Sequence, residues 1–478
     1  MLPLSLVTLA TCALASGPIA FDISGKNALL SPGQLKSYFD PSSSSKGDKT
    51  NQNSILGGLG STGGDNDDEG EGTVANNLTL TTSYNFYFTN VSIGNPPQPL
   101  QLALDTGSPY MWVYGPNGSW HGAPQFYPAK SSTYKRANES FMGSYGAGQL
   151  TGTWATDDLT IGDGSIKQFP FGVIDKFQVA AGVPGLMGVG PGPDLANVTY
   201  SNVPEALWEN GDTDSPIFSV FLDKSSSSGQ VIFGGYDSAK FIPPVYKYDI
   251  LHFSQTQPNY YYQLKVDSAS IDDGEEYTVS SPAILDTGSP FCQLPPGLVD
   301  KLGKKLGFTF YEKYQAYYQP ANQSSEPIPD FTFTLNIGKL SIDINSKDLI
   351  VPGQYLWVDD GPKNVKALGV MGAPSYVLGD VFFKNVYAAF DSVNSKIYLA
   401  RPSNNYLLSN IKPFDNSTFQ GAVPGTNPAT TTYPTKLTPM ATGTKGASGA
   451  ASSAAASAAP TGNQPAMGNP PPMGNKQM

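Results

Sequence analysis

Two short phrases in this chain set a carboxylate in the same surroundings. Residues 103–109 read ALDTGSP and residues 284–290 read ILDTGSP, centred on Asp105 and Asp286. Two carboxylates a few Å apart cannot both ionise easily, so such a pair holds one shared proton. The ionised member can take a proton from water while the protonated member polarises the group under attack. The neighbouring residue types suit that task. Gly107 and Gly288 let backbone come close to carboxylate and substrate with no Cβ between them. Ser108 and Ser289 can donate hydrogen bonds to the outer carboxylate oxygens, which favours the charged form. Thr106 and Thr287 can hydrogen-bond across to the opposite half. A single Asp-Thr-Gly is usually only a turn, but a doubled seven-residue phrase with apolar residues before each Asp is more than that.

Both carboxylates need a strand to carry them. Leu100, Leu102 and Leu104 alternate with Gln101 and Ala103, a period of two leading into Asp105. A second landmark follows each aspartate at a similar interval: Leu186-Met187-Gly188 after the first, Val377-Leu378-Gly379 after the second. Two lobes of one plan would set the carboxylates on a pseudo-two-fold axis. The chain holds 51 Gly and 41 Pro with many Tyr and Phe, a mix that predicts short strands between frequent turns. Helical patterning is best over 203–210 and 297–306, so the fold class expected is all-β.

The 478 residues suffice for two sizeable cores. With 28 Lys and Arg against 39 Asp and Glu the net charge is −11, which argues against nucleic acid as a partner. Few basic groups also limit positive self-repulsion in acid, which fits work at low pH. Residues 1–17 read as a secretory signal peptide ending in Ala13-Leu14-Ala15. No later apolar run reaches the roughly 18–20 residues that span a bilayer. Seven Asn-x-Ser/Thr sequons, at Asn77, Asn90, Asn117, Asn138, Asn197, Asn322 and Asn416, are candidate glycosylation sites. Cys12 leaves with the signal, so Cys292 is the one remaining thiol and no disulfide forms within the mature chain. Residues 18–78 read as an acidic, low-complexity pro-segment. Lobes are expected over 79–245 and 246–403. A disordered Ser/Thr/Ala/Pro-rich tail is expected over 404–478, whose polar end carries no lipid-anchor signal.

Taken together, these motifs resemble the pepsin-like aspartic endopeptidases of the secreted fungal kind, similar to yapsin- and candidapepsin-like members. The likeness covers about residues 82–402. Beyond the aspartate phrases it rests on YFTNVSIGNPPQPLQLALDTGS, MWV, SYGAGQLTG, GLMGVG, SGQVIFGGYDSAKF, YYQLKVDSASI and YVLGDVFFKNVYAAFDSVNSKIYLA. The resemblance implies two β lobes with a cleft between them and Asp105 and Asp286 as the catalytic pair. By the same likeness Tyr145 matches the tyrosine of the hairpin that covers the cleft, and Trp112 the tryptophan that hydrogen-bonds it. Gly146 and Ala147 match hairpin-tip positions whose backbone meets substrate. The activity implied is hydrolysis of peptide bonds at acid pH, by a secreted monomer without a covalent intermediate. Its substrates would be proteins and peptides, bound as extended strands. No cofactor and no metal are called for, since His121 and His252 are the only histidines and lack ligand-like spacing.

The chain departs from this pattern in two ways. It lacks disulfides, and its leader carries only Lys26, Lys36, Lys46 and Lys49 as bases, with no dibasic pair before residue 105. Autocleavage near residues 70–80 is therefore the activation route expected. The rival readings are an inactive member of the fold and a cell-wall structural glycoprotein. The first usually lacks an aspartate, a flanking glycine or the hairpin tyrosine. The second leaves the doubled aspartate turn without a purpose.

Overall fold

In a computed structural model, the structure describes residues 72–426. Excepted are 82–85, 119–123, 146–147, 178–184, 192–199, 252–260, 273, 275, 313–314, 321–325, 354–365, 405–406 and 415–418. The signal peptide, residues 18–71 of the leader, and residues 427–478 of the tail lie outside the described residues.

The strand Gln98–Asp105 pairs antiparallel with Phe86–Ile93 on one side and parallel with Gly185–Gly188 on the other. Its register on the parallel side sets Asp105 opposite Gly188. The chain leaves the sheet at Asp105 and re-enters as Met111–Tyr114, antiparallel to the far side of Gly185–Gly188. The second half repeats this plan. Tyr277–Leu285 runs parallel to Tyr376–Leu378, with Leu285 opposite Leu378, and Cys292–Leu294 lies antiparallel beyond. Each aspartate therefore stands where a strand ends and a turn begins. The strand carrying the glycine landmark fills the gap that the turn leaves. The alternating leucines explain the placement: Leu100, Leu102 and Leu104 are buried while Gln101 is half-exposed.

The lobes share a sheet. In order, Phe241–Asp249, Lys396–Pro402, Tyr387–Asp391, Phe218–Asp223, Ser228–Phe233 and Val74–Thr81 lie side by side, so second-half strands sit between first-half ones. A boundary at 245/246 cuts through the strand Phe241–Asp249 and does not separate the lobes. The folded chain also runs past both expected edges. Val74–Thr81 is a paired strand inside the expected leader, with Val74 and Leu78 buried. Past 403, Ile411–Pro413 pairs with Gly235–Asp237, and Val423–Pro424 runs parallel to Phe241–Asp249. Phe414 and Phe419 are buried against Phe241, Tyr398 and Tyr236. Strand pairing and two buried aromatic residues hold this segment, although the polar composition around them reads as tail. Among the described residues the two longer helices are Val203–Asn210 and Pro296–Lys305, and the first is closed by a capping box of Asn202 and Glu205.

Candidate active site

The two turns are tied to each other by four hydrogen bonds between residues 181 apart or nearly so. Thr106 N–H donates to Thr287 Oγ1 at 3.1 Å, and Thr287 N–H donates to Thr106 Oγ1 at 2.9 Å. Each hydroxyl then passes its own proton on: Thr106 Oγ1 to Leu285 O and Thr287 Oγ1 to Leu104 O, both at 2.8 Å. Each threonine is completely or almost completely buried, so these groups have no water to fall back on. The network holds the two strand ends in fixed register, and with them the aspartates.

Glycine is demanded by the opposite half. A Cβ on Gly107 would stand 2.5 Å from the carboxyl carbon of Asp286, and one on Gly288 would stand 2.5 Å from Asp105 Oδ1. Each glycine therefore makes room for the other turn's carboxylate. Each also donates its N–H to its own aspartate, Gly107 to Asp105 Oδ1 and Gly288 to Asp286 Oδ1, both at 2.8 Å. Each carboxyl group bears on the other's proton.

The serines break the symmetry. Ser108 donates to Asp105 Oδ2 through a short hydrogen bond. Ser289 does not do the same for Asp286; its hydroxyl donates to Phe291 O at 2.9 Å. In the first turn the matching carbonyl, Tyr110 O, accepts Gly188 N–H at 3.2 Å, while the Ser108 hydroxyl goes to the carboxylate. Burial raises the pKa of both aspartates. For Asp105 the Ser108 hydroxyl, the Asp286 carboxyl and two backbone N–H groups pull it back. For Asp286 the charge on Asp105 adds to burial, so it lies well above the usual carboxylate range.

Over the first turn, Trp112 Nε1–H donates to Tyr145 Oη at 2.9 Å. Tyr145 ends the strand Lys135–Tyr145 of a hairpin whose second strand is Gly148–Ile161. Burial, with the charge of Asp105 next, pushes the Tyr145 phenol up, so it remains a proton donor throughout the acid range. Gly146 and Ala147 lie outside the described residues.

The family model of eukaryotic aspartyl proteases matches residues 86–402. The chain belongs to the eukaryotic aspartyl protease family. It is similar to an acid protease of Saccharomycopsis fibuligera, 28% identical over 340 residues that cover 68% of this chain and 83% of that one. It is also similar to gastricsin of Rattus norvegicus, 30% identical with 66% and 80% covered. A third relative is the "Probable aspartic-type endopeptidase opsB" of Aspergillus oryzae, 28% identical with 73% and 76% covered. The protein is an aspartic-type endopeptidase that hydrolyses peptide bonds, with an all-β fold of two lobes. Yeast, filamentous-fungal and mammalian relatives carry the family and nothing narrower within it.

Sequence reasoning missed one carboxyl group in this protease. Asp380 follows the Gly379 landmark, opens the helix Asp380–Phe383 and is buried, with neither oxygen hydrogen-bonded to any described residue. Burial pushes it up to about 7 against the pull of Lys384, and its charge bears on Asp286 and Cys292. The signal was present in the phrase VLGD, where an acid directly follows a buried strand. Cys292 is buried and its thiol is pushed up to about 12, so it is a small core side chain and not a nucleophile. Of the sequons, Asn77, Asn90, Asn117 and Asn138 are exposed; Asn197, Asn322 and Asn416 lie outside the described residues, as do His121 and His252.

Proposed function

We propose that Asp105 and Asp286 are the catalytic pair of this protease, with the shared proton starting on Asp286. The observation that carries the reading is the reciprocal threonine network, which ties together the two turns that bear the buried carboxyl groups. Asp105 takes a proton from a water whose oxygen attacks the peptide carbonyl carbon. Asp286 gives its proton toward the carbonyl oxygen, and a tetrahedral diol forms. Collapse of the diol breaks the C–N bond as a carboxyl proton passes to the departing nitrogen. Water is the nucleophile throughout, so no acyl-enzyme forms. Thr106, Ser108, Thr287 and Ser289 support the turns. Gly107 and Gly288 leave room beside the carboxyls for the scissile peptide.

The substrate enters as an extended strand, with Tyr145, Gly146 and Ala147 of the hairpin closing over it and Trp112 holding the tyrosine. Backbone contacts dominate such binding, so side-chain selectivity is broad. The enzyme works at acid pH, because the pair must keep one proton. It is read as a secreted monomer, glycosylated at exposed sequons and made as a zymogen. Its leader is removed by self-cleavage near residues 70–80, and the mature protein works outside the cell or at the wall. The paired strand Val74–Thr81 supports a cut on the N-terminal side of residue 74, which leaves that strand in the sheet. Among the described residues no helix is long and apolar enough to cross a membrane.

The test is hydrolysis of denatured protein at pH 3–4 by the native chain, Asp105→Asn and Asp286→Asn. Each variant should lose activity by roughly 10²–10⁴-fold or more, the usual worth of a positioned acid or base. A statine-type inhibitor should abolish what the native chain does. Activity retained in either variant would remove that aspartate from the pair.

A further inference from the structure

Toward the tip of the covering hairpin three large side chains each stand opposite a glycine. Phe141 is in register with Gly152, Leu150 with Gly143, and Tyr145 with Gly148. Directly opposed residues of a strand pair project to one face, and residues two apart along a strand share it. Phe141 and Leu150 are buried in the cluster that contains Trp112, and Tyr145 packs against it. Met142, between these positions, points the other way and is 73% exposed. A Cβ on Gly143 would come within 2.7 Å of Tyr145 Cε2 and 2.9 Å of Leu150 Cδ1. The space that a side chain at 143 would fill is thus occupied by the Tyr145 ring, beside Leu150. That ring carries the hydroxyl that accepts Trp112 Nε1–H.

We infer that Gly143 is a positioning residue for proteolysis: it keeps open the seat in which the Tyr145 ring lies with its hydroxyl on Trp112. The inference rests on the covering role proposed for Tyr145. Glycine weakens a strand, and a β-branched residue would favour one at this position. Its φ lies outside the left-handed region, so the backbone does not require glycine. What requires it is the neighbouring ring. Leu150 is fixed in the core whereas Tyr145 is only half-buried at the strand end, so a side chain at 143 displaces the tyrosine. Alanine already forces the ring to shift, since its Cβ would stand 2.7 Å from Cε2. The forked, stiff side chain of valine fills the seat.

The experiment measures kcat and KM on a fluorogenic peptide at acid pH for Gly143→Ala and Gly143→Val. Each is made alone and in a Tyr145→Phe background, with thermal melting as the check on folding. Gly143→Val should lower kcat/KM by about tenfold or more, as expected for misplaced binding machinery. Gly143→Ala should lower it less, and melting should stay near that of the native protein. In the Tyr145→Phe background the valine should add little, because the hydroxyl contact it disturbs is already gone. An unchanged kcat/KM for Gly143→Val, or the same fold-loss in both backgrounds, overturns the inference and leaves the role of Tyr145 standing. Full activity in Tyr145→Phe alone would instead remove that role, and the inference with it. If valine prevents folding, the same comparison with alanine decides.

Discussion

The two aspartate turns share the seven-residue pattern (A/I)LDTGSP, yet they are not electrostatic copies of each other. In the first, Ser108 donates to Asp105, and the Trp112–Tyr145 pair lies overhead. In the second, Ser289 turns to the Phe291 carbonyl, and the buried Asp380 carboxyl lies behind Asp286. The backbone duplicates the turn while the surroundings divide the labour. One carboxyl accepts a hydrogen bond from its serine and the other does not. A symmetric site would leave the proton without a preferred home. The difference lies in hydrogen bonds just beyond the shared phrase, where one carbonyl takes a backbone N–H and the other takes the serine hydroxyl.

Among changes that leave both aspartates in place, the largest effect should come from closing the gap that both halves need. Gly107→Ala and Gly288→Ala each put a methyl 2.5 Å from the opposite carboxyl group. Each should cut kcat by about 10²-fold, the scale of a 1 Å misplacement, and the two losses should be similar. A kinetic assay in which only one matters would show that the cross-contacts are not equivalent.

The serines should separate the halves more sharply. Ser108→Ala removes a hydrogen bond to the Asp105 anion, which raises that group's pKa. The acid limb of the kcat/KM profile should then move to higher pH, by about one unit, the worth of one such bond. Ser289→Ala should leave that limb in place. Equal shifts in the two variants would erase the asymmetry described above.

A smaller effect, on stability, should come from Asp380. Its pKa in the folded protein is about 7, against about 3.9 in an unfolded chain. The fold favours the neutral form. Its contribution is complete below about pH 4 and is lost as pH rises toward 7. Asp391, pushed up to about 6 by burial, acts in the same direction. Melting temperature should therefore fall between pH 4 and 7, and it should fall less in Asp380→Asn. A variant that falls as steeply as the native protein would mean that Asp380 does not titrate in this window.

The sequence made the pair itself legible because doubling is visible without coordinates. Asp105 and Asp286 lie on the expected turns, Thr106 and Thr287 reach across as their type suggested, and both helices fall within a residue of the expected windows. What stayed hidden depends on contacts distant in sequence. Identical phrases gave no reason to treat Ser108 and Ser289 differently. Residues 74–78 and 404–426 looked like leader and tail because composition is averaged over many residues. A few partners decide the matter: Leu78 in the core, and Phe414 and Phe419 against Tyr236. Gly143 and Asp380 required knowing what lies opposite.

The dependence of kcat/KM on pH between 2 and 8, on a peptide whose own charge does not change in that range, tests the shared proton most directly. With one proton on the pair, the rate is highest in acid and falls as pH rises and Asp286 loses its proton. A rate that climbs from pH 5 to pH 8 would contradict the shared proton, and with it the assignment of Asp286 as the acid.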